Sequence, residues 1–364
     1  MPHQAVTALA KTLRGHVGLS KSRLETLALL VIGMVSARTV NLSHLACERS
    51  GSVQVASTYR RLQRFFQHVE LPPDWTLPLV ARLLGLSGSW YLALDRTQWR
   101  IGDRDVNFLV LAVVTRRFRV PLIWALLDKR GNSDTDERIA LMRRYLAVFE
   151  ASTIRLLLAD REFVGTAWLD FLNKNSIPFA IRLRENLRVV TEAGHDLSLR
   201  ARLHRRRRTQ VFRARLAAAD GEAGPGPLLE FAGRQLAGGE LLVVVSNRPA
   251  RGALAAYRKR WAIECLFGDA KTRGLNLEDT RLTEPRKLDL LLALVALALA
   301  WTARAAVILL GTRAPARKAH GYFAKSWFRT GFDHTRSLLR SDPVAAIAPW
   351  LRLQPTSPKR PRVV

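Results

Sequence analysis

Three carboxylates at three places in the chain have surroundings that suit metal chemistry. Asp95 follows the apolar run "WYLAL", and Asp160 follows "IRLLLA". A carboxylate at the end of a buried strand is costly unless it faces water, a partner or a cation. Two such acids at one sheet edge repel, and the repulsion raises one of their pKa values unless a cation neutralises them. Mg²⁺, or Mn²⁺ in its place, is the expected partner, because hard divalent ions take carboxylate oxygens and waters. Glu264 is the natural third acid. It lies in "YRKRWAIECLFGDAK", where about 100° per residue puts Tyr257, Arg260, Glu264 and Lys271 within an arc of about 60°. Ala262, Ile263, Leu266 and Ala270 fall on the other side. On this reading Arg260 and Lys271 grip phosphates and Glu264 completes a metal cluster. The competing reading is an ordinary i,i+4 pair between Arg260 and Glu264, worth a few tenths of a kcal/mol.

Charge points the same way. Lys plus Arg number 58 against 30 Asp plus Glu, a net +28 over 364 residues. Such an excess implies a polyanionic partner, most simply nucleic acid. The basic residues are spread along the chain, which argues against a membrane-surface helix. Two cysteines, Cys47 and Cys265, supply neither a disulfide framework nor zinc spacing, and a reducing cytoplasmic setting is expected. No signal peptide is read at the N-terminus. The run "LDLLLALVALALAWTARAAVILLG" is broken by Asp289 and Arg304 into a clean stretch short of the roughly twenty residues a span needs. It reads as a buried core helix, and no membrane partner is expected.

The elements that must position the acids follow from periodicity. Residues 1–88 read as helical, and "TYRRLQRFFQ" carries Arg60, Arg61 and Arg64 beside aromatic residues as a candidate DNA-reading helix. Its alternative is a solvated basic face over an aromatic core contact. "WYLALDRTQWRI", "NFLVLAVVTRRF" and "VPLIWALLDK" read as three strands of an antiparallel meander. A helix over "SDTDERIALMRRYLAVF", a central strand "TIRLLLAD", a helix over "REFVGTAWLDFLNKNS" and a strand "IPFAIRLR" follow. This is a mixed sheet with flanking helices, an α/β layered domain. After Arg184 the chain becomes rich in Gly and Arg, and 185–248 reads as a mostly β insertion. Within it Arg205, Arg206, Arg207 and Arg208 suit a phosphate backbone better than a structural role. A long helix then resumes around Tyr257, and the tail "PTSPKRPRVV" reads as disordered.

The spacing Tyr-x2-Arg-x3-Glu-x6-Lys at Tyr257, Arg260, Glu264 and Lys271 resembles the signature of bacterial insertion-sequence transposases of the DDE class, in the insertion sequence 4 family. "ALDRTQW" and "LLADREFVG" resemble that family's two aspartate blocks, so the likeness runs from about residue 90 to 300. The resemblance implies an RNase H-like core with Asp95, Asp160 and Glu264 as catalytic and metal-binding residues. It implies a β-rich insertion between the second Asp and the Glu, and two Mg²⁺ ions. It implies nicking of inverted-repeat element ends and transfer of the freed 3′-OH to target DNA, within a homodimer or higher oligomer that pairs two ends. Relatives hold phosphates with the Tyr–Arg–Lys face near a flipped base stacked on an aromatic residue. The insertion here lacks tryptophan, which leaves Phe212 and Phe231 as substitutes.

The expected organisation is a helical DNA-binding region (1–88), a first part of the catalytic core (89–184) and the insertion (185–248). A second part of the core with the Glu helix (249–312) and a basic C-terminal region (313–364) complete it. The expected setting is cytoplasmic and nucleoid-associated. Two other readings share these residues: an RNase H-like nuclease without transposition, and a domesticated DNA-binding regulator.

Overall fold

The computed structural model describes residues 3–49, 53–102, 104–217 and 226–353, and the expected disordered tail lies outside them. Helices α1 (His3–Leu13), α2 (Lys21–Ala37), α3 (Leu42–Cys47), α4 (Val55–His68) and α5 (Thr76–Leu84) open the chain. Strands β1 (Trp90–Ile101), β2 (Arg104–Val114) and β3 (Arg119–Leu127) follow. Then come α6 (Thr135–Val148), β4 (Ile154–Ala159), α7 (Thr166–Lys174) and β5 (Phe179–Arg182). The insertion supplies β6 (Arg188–Thr191), β7 (Asp196–Ser198), α8 (Leu199–Leu203), β8 (Gln210–Leu216), β9 (Leu228–Gln235) and β10 (Leu241–Ser246). Beyond it lie α9 (Ala250–Tyr257), α10 (Trp261–Ala270), α11 (Pro285–Leu310), α12 (Trp327–Ser341), α13 (Pro343–Ala346) and α14 (Ala348–Leu351).

The chain divides into two compact units. One holds 1–86, 99–105 and 267–364, and the other holds 87–98 and 106–266. The chain passes between them four times, the last at Leu266 and Phe267, inside the segment 249–312 that the sequence groups together.

The second unit is built on a sheet. Among the described residues ten strands form one mixed sheet in the order β3-β2-β1-β4-β5-β10-β9-β8-β6-β7. This is the expected mixed α/β class. Strand β4 is central and lies parallel to both β1 and β5. Only Arg155 of "IRLLLA" is exposed, the pattern of a strand covered on both faces. Asp134 caps α6 by accepting from the Glu137 amide while Glu137 returns a bond to the Asp134 amide. The insertion joins the rest of the sheet directly, because β10 pairs antiparallel with β5 through Ser246↔Ala180 to Val244↔Arg182.

Two expectations change here. Asp95 does not end its strand, since β1 runs on to Ile101; it ends the stretch paired with β4. The single long helix around Tyr257 is instead α9 and α10 joined by a 3₁₀ turn at Arg258–Arg260. Tighter winding there departs from a uniform 100° per residue.

The first unit is helical. α11 is apolar nearly all round and packs against α2, α5 and α12. It is the one described helix long and apolar enough to cross a membrane, and its apolar window is 83% buried within the protein. That is the expected core helix. α12 comes so close that a Cβ on Gly331 would sit 2.0 Å from the Thr302 carbonyl oxygen, so only glycine fits. Arg286, near the start of α11, donates to the carbonyls of Phe66, Gln67 and Val69 and so closes the C-terminus of α4.

Candidate active site

Parallel register brings the two aspartates together. β1 and β4 pair through Leu94↔Ala159, so the next residues, Asp95 and Asp160, emerge side by side. Carboxyl-end positions of parallel strands are where open α/β sheets hold ligands. The loop after Asp160 is pinned from below. Buried Arg138 donates to the carbonyls of Ser133, Glu162 and Val164, and its guanidinium lies 5.3 Å from the Phe163 ring centroid. Arg96 bonds Glu162, Asn107 and Asn132, fixing the other side of the loop.

The third acid arrives on α10. Arg260, in the 3₁₀ turn just before it, carries all three. Its Nη1 lies 2.9 Å from Asp95 Oδ2, its Nη2 lies 3.6 Å from Asp160 Oδ2, and Nη2 also pairs with Glu264. Tyr257 Oη donates to Asp160 Oδ1 at 3.0 Å. Backbone amides of Arg96 and Arg161 donate to Oδ1 of Asp95 and of Asp160, each at 2.8 Å. Arg260 and Asp95 are largely buried, whereas Asp160 and Glu264 keep 28% and 35% of their side chains exposed to water.

Burial separates the two aspartates electrostatically. Desolvation pushes Asp95 up to about 6, against the pull of Arg260 and the Arg96 amide, and Glu162 and Asp160 add to the rise. Burial also works to raise Asp160. There the Arg161 amide, Arg260, Tyr257 and Arg182 outweigh it, and the carboxyl sits below its ordinary value. Tyr257 is pushed well up, first by burial and then by Asp160, so its hydroxyl keeps its proton and remains a donor. Two neighbouring carboxyls driven in opposite directions are a frequent mark of functional sites.

The donor set is all carboxylate oxygen, the chemistry a hard divalent cation takes. In this arrangement the Arg260 guanidinium supplies the positive charge. Among the described residues no group of three acidic, imidazole or thiol side chains is arranged to hold an ion. The donors suit such an ion in their chemistry, and in this arrangement Arg260 holds the place among them.

Residues 87–301, more than half of the chain, match the family model described as a transposase DDE domain. The chain belongs to the DDE transposase family. A search of the curated proteins returned no match. The transposase domain begins just before β1 and ends within α11, so it takes in Asp95, Asp160 and Glu264 together with the insertion. The ten-stranded mixed sheet with flanking helices agrees with the RNase H-like fold of such domains.

The other sequence-derived residues fall in several places. Lys271 follows α10 in the helical unit, where its Nζ lies 3.2 Å from Glu278. Arg205 to Arg208 form an exposed loop between α8 and β8. Arg60 and Arg64 are exposed on α4. Arg61 turns inward to Thr26 Oγ1 at 2.7 Å, the Ser22 carbonyl and Glu25, and so ties α4 to α2. Phe231 is fully buried and stacks on Phe212 at 5.3 Å, which removes it as a platform for a base. Sequence reasoning passed over Trp261, 64% exposed at the start of α10. Its signal lay in the quoted motif, as a large aromatic between Arg260 and Glu264.

Proposed function

We propose that this transposase cleaves the ends of its insertion sequence and joins the freed 3′-OH ends to target DNA by metal-dependent phosphoryl transfer, in a cut-and-paste cycle. We place it in the insertion sequence 4 family on the Tyr257–Arg260–Glu264–Lys271 spacing. The observation that carries the reading is the convergence of Asp95, Asp160 and Glu264 on one guanidinium. A site that gathers three acids around a cation can gather them around two Mg²⁺ ions, or Mn²⁺.

When bound, the ions lower the pKa of water and stabilise charge on the attacking and leaving oxygens. The protein's own groups do the rest. Asp95, Asp160 and Glu264 would hold the ions. Tyr257 keeps Asp160 oriented through a hydroxyl that stays protonated. Arg260, once released from the acids, would bind a phosphate beside the scissile bond, which a guanidinium can grip bidentately. Lys271, the Arg205–Arg208 loop and Arg60 and Arg64 on α4 supply further phosphate contacts in this reading. The partners are inverted-repeat ends and target DNA, the working form is a homodimer or higher oligomer, and the setting is cytoplasmic at the nucleoid.

The test is a strand-transfer assay with a labelled duplex ending in the inverted repeat that flanks the coding sequence. Mg²⁺-dependent joining to a plasmid, abolished in Asp95→Ala, is the expected result. Nicking without joining would replace the reading with a nuclease. Binding without nicking would replace it with a regulator.

A further inference from the structure

A second cationic feature lies in the sheet unit, on the insertion side of Asp160. A groove of about 720 Å³ is lined by Arg161, Arg182, Arg184 and Arg200 with Glu185 and Glu240. The β4–β5 register explains its position. Ala159 pairs with Ile181, so Asp160 and Arg182 are the next residues on neighbouring parallel strands. Arg182 Nε is buried without a hydrogen-bond partner, while its Nη2 pairs with Glu240 on the β9–β10 turn. Arg200 on α8 pairs with Glu185. Arg161 and Arg184 are exposed, and among the described residues neither makes an ion pair.

We infer that this groove is a binding site for the sugar–phosphate backbone of the DNA strand whose scissile phosphate lies at Asp95 and Asp160. The inference rests on the DNA-cleavage reading above. Four guanidinium groups against two carboxylates leave a cationic surplus, and phosphates match the fork of an arginine in charge and geometry. The groove starts beside a catalytic aspartate and ends on the insertion, so a strand seated in it leaves the acids along β5 and the β9–β10 turn. Glu185 and Glu240 act as placeholders. Each occupies one arginine until a phosphate replaces it. Glu240 is 56% exposed, so releasing it costs little.

The test uses the full chain and a short labelled DNA duplex of random sequence, with affinity measured across a salt series. Arg161→Gln combined with Arg184→Gln should weaken binding at least several-fold. It should also lower the salt slope by nearly two, since each lost phosphate contact removes about 0.9. Glu240→Gln should do the opposite and tighten binding about threefold, because it frees Arg182 for phosphate. A gain of affinity cannot come from misfolding. If the parent binds DNA and all variants match it in affinity and slope, the groove is not the track and the cleavage reading stands. A parent that binds no DNA overturns both.

Discussion

Arg260 Nη1 donates to Asp95 Oδ2 at 2.9 Å across 165 residues of chain, with both side chains largely buried. Breaking such a pair from one side leaves an uncompensated charge, at a cost of about 3–5 kcal/mol. Arg260→Gln should therefore lower the unfolding temperature sharply in chelator. Mg²⁺ should restore much of the loss, because a divalent ion can take over the positive charge. Thermal melts with and without Mg²⁺ check this. A variant that melts like the parent in chelator would show that the acids do not need Arg260.

Glu264 is the residue on which two explanations of the helix diverge. As a mere partner of Arg260 it would contribute at most about 1 kcal/mol, and Glu264→Gln would nick DNA nearly as fast as the parent. As a metal ligand, the same isosteric change removes charge where the transition state needs it, a loss of roughly 10²–10³ in rate. Nicking rates and DNA affinity measured on one set of variants decide. The expected outcome is severe loss of nicking with binding retained.

The metal reading predicts ion selectivity. Mg²⁺ and Mn²⁺ should support nicking and joining, whereas Ca²⁺ should support DNA binding without strand transfer. Ca²⁺ is larger and more loosely coordinated, so it aligns nucleophile and phosphate poorly. Full joining in Ca²⁺ alone, or nicking in excess chelator, contradicts the mechanism.

Asp95 makes stability depend on pH in the metal-free protein. Its carboxyl rises from 3.8 to about 6 on folding, so between those values the native state holds the extra proton. Stability is highest below that window and falls as pH rises through it, by on the order of 3 kcal/mol. Asp160 is shifted the other way, so its contribution is present above its unfolded value and is lost only as pH falls below it. Denaturant unfolding from pH 4 to 7 in chelator should show the decline in the parent, and Asp95→Asn should flatten it. An unchanged profile in Asp95→Asn would assign the proton elsewhere.

The aspartates were legible because each ends an apolar run, and the register that pairs Leu94 with Ala159 turns that fact into adjacency. The Tyr257–Arg260–Glu264 spacing was legible as a shared face. What Arg260 faces was not, since composition suggests phosphate for every arginine in so basic a chain. The 3₁₀ turn escaped notice because Arg258, Lys259 and Arg260 carry no glycine or proline to mark a change of winding. The insertion was legible as β structure, yet its junction with the core was not. β10 finds β5 about sixty residues away in sequence, and periodicity records nothing of so distant a partner. Arg138 and Arg161 had no local signal either. Their importance comes from the loop and groove they border.

The junction of β10 with β5 also bears on trimming the protein. β5 is a short apolar strand, "FAIR", with β4 on one side and β10 on the other. A shortened chain lacking 185–248 would have the β10 side stripped bare, leaving unpaired amides and carbonyls beside buried Phe179 and Ile181. Such an uncapped margin recruits other chains. In the full chain β10 covers that margin, and a minimal transposase made by deletion would need a substitute strand or a charged residue there to remain monodisperse.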